Sequence, residues 1–442
     1  MKVLRLLPLT AALGAALCPA VHAESLLDLY QSARAYDAAW QSAKAQYDAN
    51  VFRAEQAKAG ILPSANLSAG ATRSRFDINN PEVERAFGTQ SATVSASQPL
   101  YRPANLATYE QGKRQVELAQ AQLTAAAQDL IIRVSQAYFD VLAAQDTLAF
   151  VRAQKEAVAE QLASAKRNFE VGTATITDTR EAQARYDLVV AQEIAADNDL
   201  RVKRLALDTQ VGKPDVQPNT LPVPPQLPLP QPPDVNAWVQ QSEENSPQIQ
   251  QARTNVEIAQ LETEKAKAGQ KPTLDLTASY NITRNQNGSS QSALNSRSGN
   301  GNLGVSFNLP LFAGFAIQNR IRETLSLEEK AQADLEAARR NVAQATRAAY
   351  FGVVSGQGQV RALEAAEASS QSALDANRLG YQVGVRINID VLNSQSQLFQ
   401  TKRDLAQARY NVLLGHLKLR QANGTLTPED LARLNDLLAG RG

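Results

Sequence analysis

The spacing of apolar residues follows two different periods in successive segments of this chain. Every second residue is apolar in four stretches, residues 65–71, 92–96, 274–282 and 303–309. Alternation with a period of two is typical of β-strands. The pattern therefore predicts two hairpins, the first joined by a polar turn over residues 77–88 and the second by a loop over residues 285–302. Residues 24–60, before the first hairpin, are helical in composition, and Pro63 ends that segment.

A longer period follows each hairpin. Residues 104–171 contain no proline and only one glycine, Gly112, and their apolar and small residues recur at alternating spacings of four and three. Such a heptad pattern is typical of closely packed helices, and at ~1.5 Å per residue this helix would be on the order of 100 Å long. The pattern also predicts a return helix over residues 176–211. The second half of the chain predicts the same pair of helices over residues 316–383 and 389–422.

The chain carries one architectural unit twice. Matching segments begin at Ala59 and Ala268, and the triplet Ala-Tyr-Phe occurs at 137–139 and again at 349–351. The offset between copies drifts only from 209 to 212 residues, which predicts internal pseudo-twofold symmetry. The predicted organisation is a signal peptide (1–23), a first repeat (24–212), a proline-rich linker (213–234), a second repeat (235–424) and a C-terminal tail (425–442).

The first 23 residues have the pattern of a secretory signal peptide. Lys2 and Arg5 precede an apolar stretch, and small residues end at Ala23, so Glu24 is the expected first mature residue. Leu17, before the single cysteine, is too large for a lipidation signal. Without the predicted signal peptide, 43 of the 45 basic residues remain, against 44 acidic residues. The chain therefore has no excess of positive charge that would indicate nucleic-acid binding. Without cysteine and with one histidine, the mature chain also lacks the groups for a disulfide or a His/Cys metal site.

Long heptad helices alone are typical of a fibrous coiled coil, but the strands change this interpretation. Strands of about ten residues are long enough to cross a bilayer when tilted. Four strands cannot close a barrel, and an open sheet edge in lipid would leave backbone groups without partners. Several chains must therefore share one barrel, with eight strands from two chains or twelve from three.

Three segments resemble the TolC-like outer-membrane factors, and the resemblance extends over the whole mature chain. They are residues 171–178, their counterpart 381–392, and 424–431 in the tail. The resemblance implies an α+β membrane protein, a homotrimer with a twelve-stranded outer-membrane β-barrel continued by a long periplasmic α-helical barrel. It implies a passive exit duct of a Gram-negative outer membrane, in contact with its lipid. Substrates, either secreted protein or small toxic compounds, would come from an inner-membrane ABC or proton-driven transporter through a periplasmic adaptor protein.

The resemblance also assigns candidate gate residues. The residues matching Arg386 and Tyr381 hold the periplasmic end of the family's channels shut by contacts between neighbouring helix pairs, and Thr177 and Asp178 match their partners. The alternative is that these are solvated surface residues. Asp178 has a second alternative role, as a carboxylate favoured by the N-terminal dipole of its helix.

Asp390 matches an aspartate at the narrowest part of the family's pore. Three copies would form an acidic ring that attracts cations. Asn393 stands where the family carries a second aspartate, so one acidic ring is expected instead of two. Gly172 and Gly384 are expected to form the turns at the tips of the two helical pairs.

No catalytic constellation or cofactor motif is apparent, since the carboxylates are spread in the mixed-sign pattern of solvated helices. An enzyme is therefore not expected. The main alternative to an exit duct is a structural or adhesive coiled-coil protein of the envelope. A periplasmic adaptor is a further alternative, but it would need one helical hairpin and a flanking β domain. Tyr101 and Phe312, at the joints between strand and helix, are expected either to anchor at the membrane interface or to pack at the joint.

Overall fold

The computed structural model describes residues 24–80, 82–220, 227 and 229–438, so the predicted signal peptide and part of the predicted linker lie outside the described residues. The described residues form nine helices and four strands: α1 (Leu26–Tyr36), α2 (Ala38–Ala59), β1 (Ser64–Asn79), β2 (Glu82–Tyr101), α3 (Pro103–Glu170), α4 (Ile176–Val211), α5 (Val235–Asn245), α6 (Pro247–Ala268), β3 (Thr273–Gln286), β4 (Ser296–Asn308), α7 (Ala316–Gln382), α8 (Asn388–Ala422) and α9 (Pro428–Leu438). None of the helices in these ranges is both long and apolar enough to cross a membrane.

The element order repeats, and the helices of the two copies have nearly the same lengths. α1 and α5 both have 11 residues, and α2 and α6 both have 22. α3 has 68 residues and α7 has 67, while α4 has 36 and α8 has 35. The internal twofold repeat predicted from the sequence is therefore confirmed.

The four strands form one antiparallel sheet in the order β1-β2-β3-β4. Directly opposite residues of an antiparallel pair share a face, and the register places Leu67 opposite Val94, Val94 opposite Tyr280, and Ala278 opposite Leu303. The alternating apolar residues of all four strands therefore lie on one face. Most of these side chains are exposed, so this face is the apolar outer surface of the sheet.

The predicted connections inside both hairpins were too long. β1 continues to Asn79 and β2 begins at Glu82, so most of the polar segment 77–88 is strand. The ladder is made by backbone groups, and polar side chains such as Arg75 and Glu84, which form an ion pair across the two strands, do not interrupt it. Between β3 and β4 the connection is residues 287–295 instead of 285–302.

The predicted helical segment 24–60 is broken at Asp37. This residue has extended backbone angles, φ −60° and ψ 118°, and its carboxylate accepts a hydrogen bond of 2.7 Å from the backbone N–H of Trp40. Asp37 therefore ends α1 and caps the start of α2. The same carboxylate binds the Arg133 guanidinium at 2.8 Å, which ties the break to α3.

The chain divides into two compact units. The first comprises the described residues of Met1–Gln41, Ala127–Ala237 and Thr346–Gly442. Its main core contains apolar side chains of α1, α3, α4, α8 and α9, among them the fully buried Tyr138 and Leu431. The hydroxyl of Tyr138 donates to the carbonyl oxygen of Asn219 over 2.9 Å, so its polar atom is satisfied inside the core.

The second unit comprises Ser42–Ala126 and Trp238–Ala345 and contains the sheet. Arg102, between β2 and α3, donates two hydrogen bonds of 2.7 and 2.6 Å to the carboxylate of Asp275 on β3. Glu262 on α6 accepts hydrogen bonds from Gln111 on α3 and Arg320 on α7. Charged and polar side chains therefore join the N-terminal parts of the long helices to the sheet and to α6.

Candidate functional site at the helical tips

Each pair of long helices reverses direction through the same tight turn. We call α3 and α4 the first hairpin and α7 and α8 the second hairpin. Gly172 and Gly384 follow α3 and α7 with φ values of 78° and 79°, a conformation that glycine adopts at little steric cost. Backbone hydrogen bonds of 2.8 Å close both turns, from Thr173 to Asn168 and from Val385 to Gly380.

The helices that follow the two turns begin differently. In the first hairpin, the Thr175 hydroxyl accepts from the backbone N–H of Asp178, and the Asp178 carboxylate accepts from the Thr175 N–H at 2.9 Å, which is a capping box. The hydroxyl of Thr177 lies 2.5 Å from that of Thr175. In the second hairpin, Ile387 occupies the cap position and has no side-chain hydrogen bond.

Arg386 lies on the second hairpin and does not reach the predicted partners within the chain. Its guanidinium is 3.5 Å from the carboxylate of Asp390, one helical turn later. A Cβ at Gly380 would lie 2.7 Å from Cγ of Arg386, so the absence of a side chain there leaves room for the arginine stem. Asp178 takes part in the capping box of α4. This agrees with the alternative role given for it from the sequence, that of a carboxylate at the N-terminus of its helix.

Tyr381 contacts the first hairpin through a residue that sequence reasoning missed. Its hydroxyl accepts a hydrogen bond of 3.3 Å from the side-chain amide of Asn168, which lies near the C-terminal end of α3. Its ring packs against Leu374, Val391 and Leu398 of the second hairpin. Tyr381 therefore joins the ends of α3 and α7, with Asn168 as its partner instead of Thr177 or Asp178.

Asn393, predicted at the pore constriction, also makes a contact between the hairpins. Its amide oxygen accepts a hydrogen bond of 2.9 Å from Arg185 on α4. Arg185 was not among the residues singled out from the sequence.

A groove of 730 Å³ lies between the two hairpins at their tips. Four predicted site residues line it, namely Asp178, Tyr381, Gly384 and Arg386, whereas Thr177, Asp390, Asn393 and Gly172 are not among its lining residues. Glu160 and Arg378 add one charge of each sign. The contacts described so far that join the tips are separate hydrogen bonds, from Asn168 to Tyr381 and from Arg185 to Asn393.

Three further residues of this site, Asn168, Gln161 and Asn388, escaped the sequence-based interpretation. The two copies differ at these places, since Asn388 corresponds to Ile176 and Asn168 corresponds to Gly380. A comparison of the copies position by position would have marked them as residues where one hairpin carries an amide and the other does not.

These features define an export channel of the bacterial outer membrane, with an exposed apolar sheet face and polar tips on long helices. The sequence profile of the family described as outer membrane efflux protein matches residues 29–213 and 238–425. The chain therefore belongs to the outer membrane efflux protein family, and the resemblance to the TolC-like factors is confirmed.

Individual relatives agree with this assignment. The outer membrane protein TolC of Vibrio cholerae is 34% identical over 433 residues, which cover 98% of both chains. The alkaline protease secretion protein AprF of Pseudomonas aeruginosa is 30% identical, over 92% of this chain and 85% of its own length. Among solved structures, the CmeC outer membrane channel of Campylobacter jejuni superposes with a TM-score of 0.77 at 15% identity, over 94% of this chain and 89% of that one.

The fold class expected from the sequence is confirmed by these comparisons. It is the fold of trimeric outer-membrane channels, in which each chain adds four strands to a β-barrel and long helices to an α-helical barrel. The protein is an outer-membrane protein that extends into the periplasm. Its relatives are efflux and secretion channels, which favours an exit channel over a structural or adhesive coiled coil.

Proposed function

We propose that this protein is the homotrimeric exit duct of a tripartite export system and that contacts at the helical tips close it at rest. An inner-membrane transporter, of the ABC or the proton-driven type, and a periplasmic adaptor deliver the substrate. The substrate is a secreted protein or a small toxic compound, and the similarity to a protease secretion protein supports the first class. The observation that carries the proposal is the polar groove between the hairpins, because its contacts are weak and separable.

The two repeats differ in exposure in a way that supports assembly with further copies. Phe139 on α3 is 2% exposed and stacks on Tyr410 of α8, with ring centroids 5.8 Å apart, whereas its counterpart Phe351 on α7 is 56% exposed. Leu417 on α8 is 3% exposed, whereas its counterpart Leu205 on α4 is 66% exposed. The packing that α3 and α8 form within the chain is therefore available to α7 of one copy and α4 of the next.

The gate in this proposal consists of Arg386 and Tyr381 on the second hairpin, with Thr177 and Asp178 on the first hairpin of a neighbouring copy as partners. Within one chain, Arg386 in the turn pairs with Asp390 in the first turn of α8. Arg386 is exposed and Asp390 is half-buried, so exchange of Asp390 for a carboxylate of another copy costs little. Asp390 and Asn393 lie in the first two turns of α8, and three copies of Asp390 would form the acidic ring of the pore.

The gate is tested by the double variant Arg386→Ser with Tyr381→Phe in planar lipid bilayers. We expect assembled trimers with several-fold higher conductance than the wild type, because the contacts that close the tips are lost while the packed core is unchanged. Arg167→Ser, an exposed arginine near the end of α3, is the matched control and should conduct as the wild type does.

The protein should also migrate as an oligomer in unheated gels and as a monomer after heating. Double-variant trimers with wild-type conductance would show that these residues do not close the channel. Trimers that carry no current in the wild type, in the double variant or in any other gate variant would contradict the exit duct itself.

A further inference from the structure

Asn388 joins the start of α8 to both helices of the first hairpin. It is the first residue of α8 and is 0% exposed. Its amide oxygen accepts a hydrogen bond from Nε2 of Gln161 on α3, and its Nδ2 donates to the backbone carbonyl oxygen of Asp178 on α4 over 3.3 Å. One buried side chain therefore makes both of these contacts between the hairpins.

The second hairpin has this contact in place of a cap of its own. Thr175 caps α4 with its side chain from within the first hairpin, whereas the corresponding Ile387 makes no side-chain hydrogen bond to α8. In the first copy, Ile176 stands where the second has Asn388, and its side chain is exposed. The turn of the first hairpin is thus held by its own residues, and the start of α8 is held by the first hairpin.

We propose that Asn388 is a latch that holds the second hairpin against the first and sets how readily the tips separate. The proposal rests on the proposed function, since separation of the tips matters only in a channel that closes there. Asn388 lines the same groove as Asp178, Tyr381 and Arg386, so it fixes the distance across which the gate residues act. It is a positioning residue, because it acts through the placement of α8.

The chemistry of the latch differs from that of the gate. Both of its hydrogen bonds are between uncharged groups, so salt does not screen them as it screens an exposed ion pair. Two neutral hydrogen bonds shift a two-state equilibrium by roughly 5- to 150-fold. A latch of this strength favours the closed tips, and the binding energy of a docking protein can still overcome it.

The first test is the conductance of full-length trimers in planar bilayers. Asn388→Leu keeps the size of the side chain and removes both hydrogen bonds, and Gln161→Ala removes one of them from a half-buried position on α3. We expect either variant to increase the fraction of time in the high-conductance state several-fold. The double variant should add little to Asn388→Leu, because both substitutions break the same link.

Gln395→Leu is the matched control. Gln395 is a buried amide on the same helix, 1% exposed, and it is not among the residues that line the groove. Its replacement tests whether any buried amide of α8 has the same effect. We expect wild-type conductance from this control.

A second measurement does not depend on current. The mature chain has no cysteine, so spin labels can be attached to cysteines placed at the exposed tip residues Val171 and Val383, with labelled chains in a minority among unlabelled ones. Asn388→Leu and Gln161→Ala should lengthen and broaden the distance distribution between the labels, and Gln395→Leu should not.

Stable trimers of both variants with wild-type distances and conductance would overturn the latch. Equal effects from Gln395→Leu would overturn it as well, since the cause would then be general loss of packing. If Asn388→Leu does not assemble, Gln161→Ala carries the test alone. Absence of current in the wild type and in every variant would contradict the proposed function, while the label distances would still decide the latch.

Discussion

Asp37 shows how one carboxylate can serve two elements. It caps α2 through the backbone of Trp40 and binds Arg133 of α3. The hydrogen bonds from Arg133 hold the pKa of the Asp37 carboxyl below its usual value. Asp146 on α3 is the opposite case, because burial raises the pKa of its carboxyl while the Tyr410 hydroxyl donates to it over 2.7 Å.

Asp37→Asn should lower the stability of the folded protein at neutral pH by about 1–2 kcal/mol, because the amide still caps α2 but loses its charge-assisted bonds to the partly exposed Arg133. A depressed pKa gives stability that is present above the ordinary pKa of aspartate and is lost as the pH falls through the folded-state pKa. The difference between wild type and variant should therefore shrink in acid. Thermal unfolding in detergent, followed by circular dichroism across the acidic range, measures it.

The control for this experiment is Asp146→Asn. The folded-state pKa of Asp146 is raised, so the ionised group costs stability above that pKa and the cost is relieved as the pH falls. The amide keeps an acceptor for Tyr410. Equal or higher stability of this variant at neutral pH is expected, and a loss as large as that of Asp37→Asn would contradict the assignment of opposite signs.

At the scale of elements, the long helices were predicted almost to the residue, whereas the connections between the paired β-strands were not. α3 was expected over residues 104–171 and occupies Pro103–Glu170, and α7 was expected over 316–383 and occupies Ala316–Gln382. A heptad pattern repeated over many turns leaves little freedom in where a helix ends, and glycine marks the end. Polar residues near a hairpin turn carry no such signal, since the ladder continues through backbone groups.

The exposed apolar face of the sheet predicts which strand residues tolerate charge. Leu303 lies on that face and Asn302 on the other. An arginine on the lipid face costs up to about 2–4 kcal/mol at the bilayer midplane, so Leu303→Arg should reduce the amount of heat-modifiable oligomer in the outer-membrane fraction. Asn302→Arg, the neighbouring control, should assemble. Equal assembly of both variants would show that Leu303 does not face lipid.

At the scale of the whole molecule, the duplication is the feature from which assembly can be argued. Two copies of one unit expose different surfaces, because the first copy's α3 is covered by α8 while α4 and α7 keep the corresponding apolar positions uncovered. Exposed apolar side chains at these positions are costly in water. A further copy of the chain supplies the matching surface for both helices.

Leu205→Glu should therefore prevent or weaken the trimer. Burial of a leucine contributes about 1.5–3 kcal/mol, and the loss would occur once in each copy. Leu188 lies on the same helix and is also exposed, but its counterpart Gln400 is exposed too, so Leu188→Glu is the matched control and should assemble. Size-exclusion chromatography with light scattering distinguishes trimer from monomer, and unaffected trimers of Leu205→Glu would place the interface elsewhere.

The class of protein was indicated by the resemblance of three sequence segments to a known family. The pattern of residues itself determined the duplicated unit, the four alternating strands and the two long helical pairs. These features rest on periodicity, which is local and repeated many times, so each occurrence supports the next. The positions of Gly172 and Gly384 were determined in the same way, because a turn between two long helices needs a residue that tolerates positive φ.

Only the tertiary structure decided how the two tips are joined. Gln161 and Asn388 are 227 residues apart in the chain, and nothing in the local pattern of either residue shows that they meet. The same holds for Tyr381 and Asn168, which are 213 residues apart. A hydrogen bond depends on where two side chains lie in space, and that is settled by the packing of whole helices.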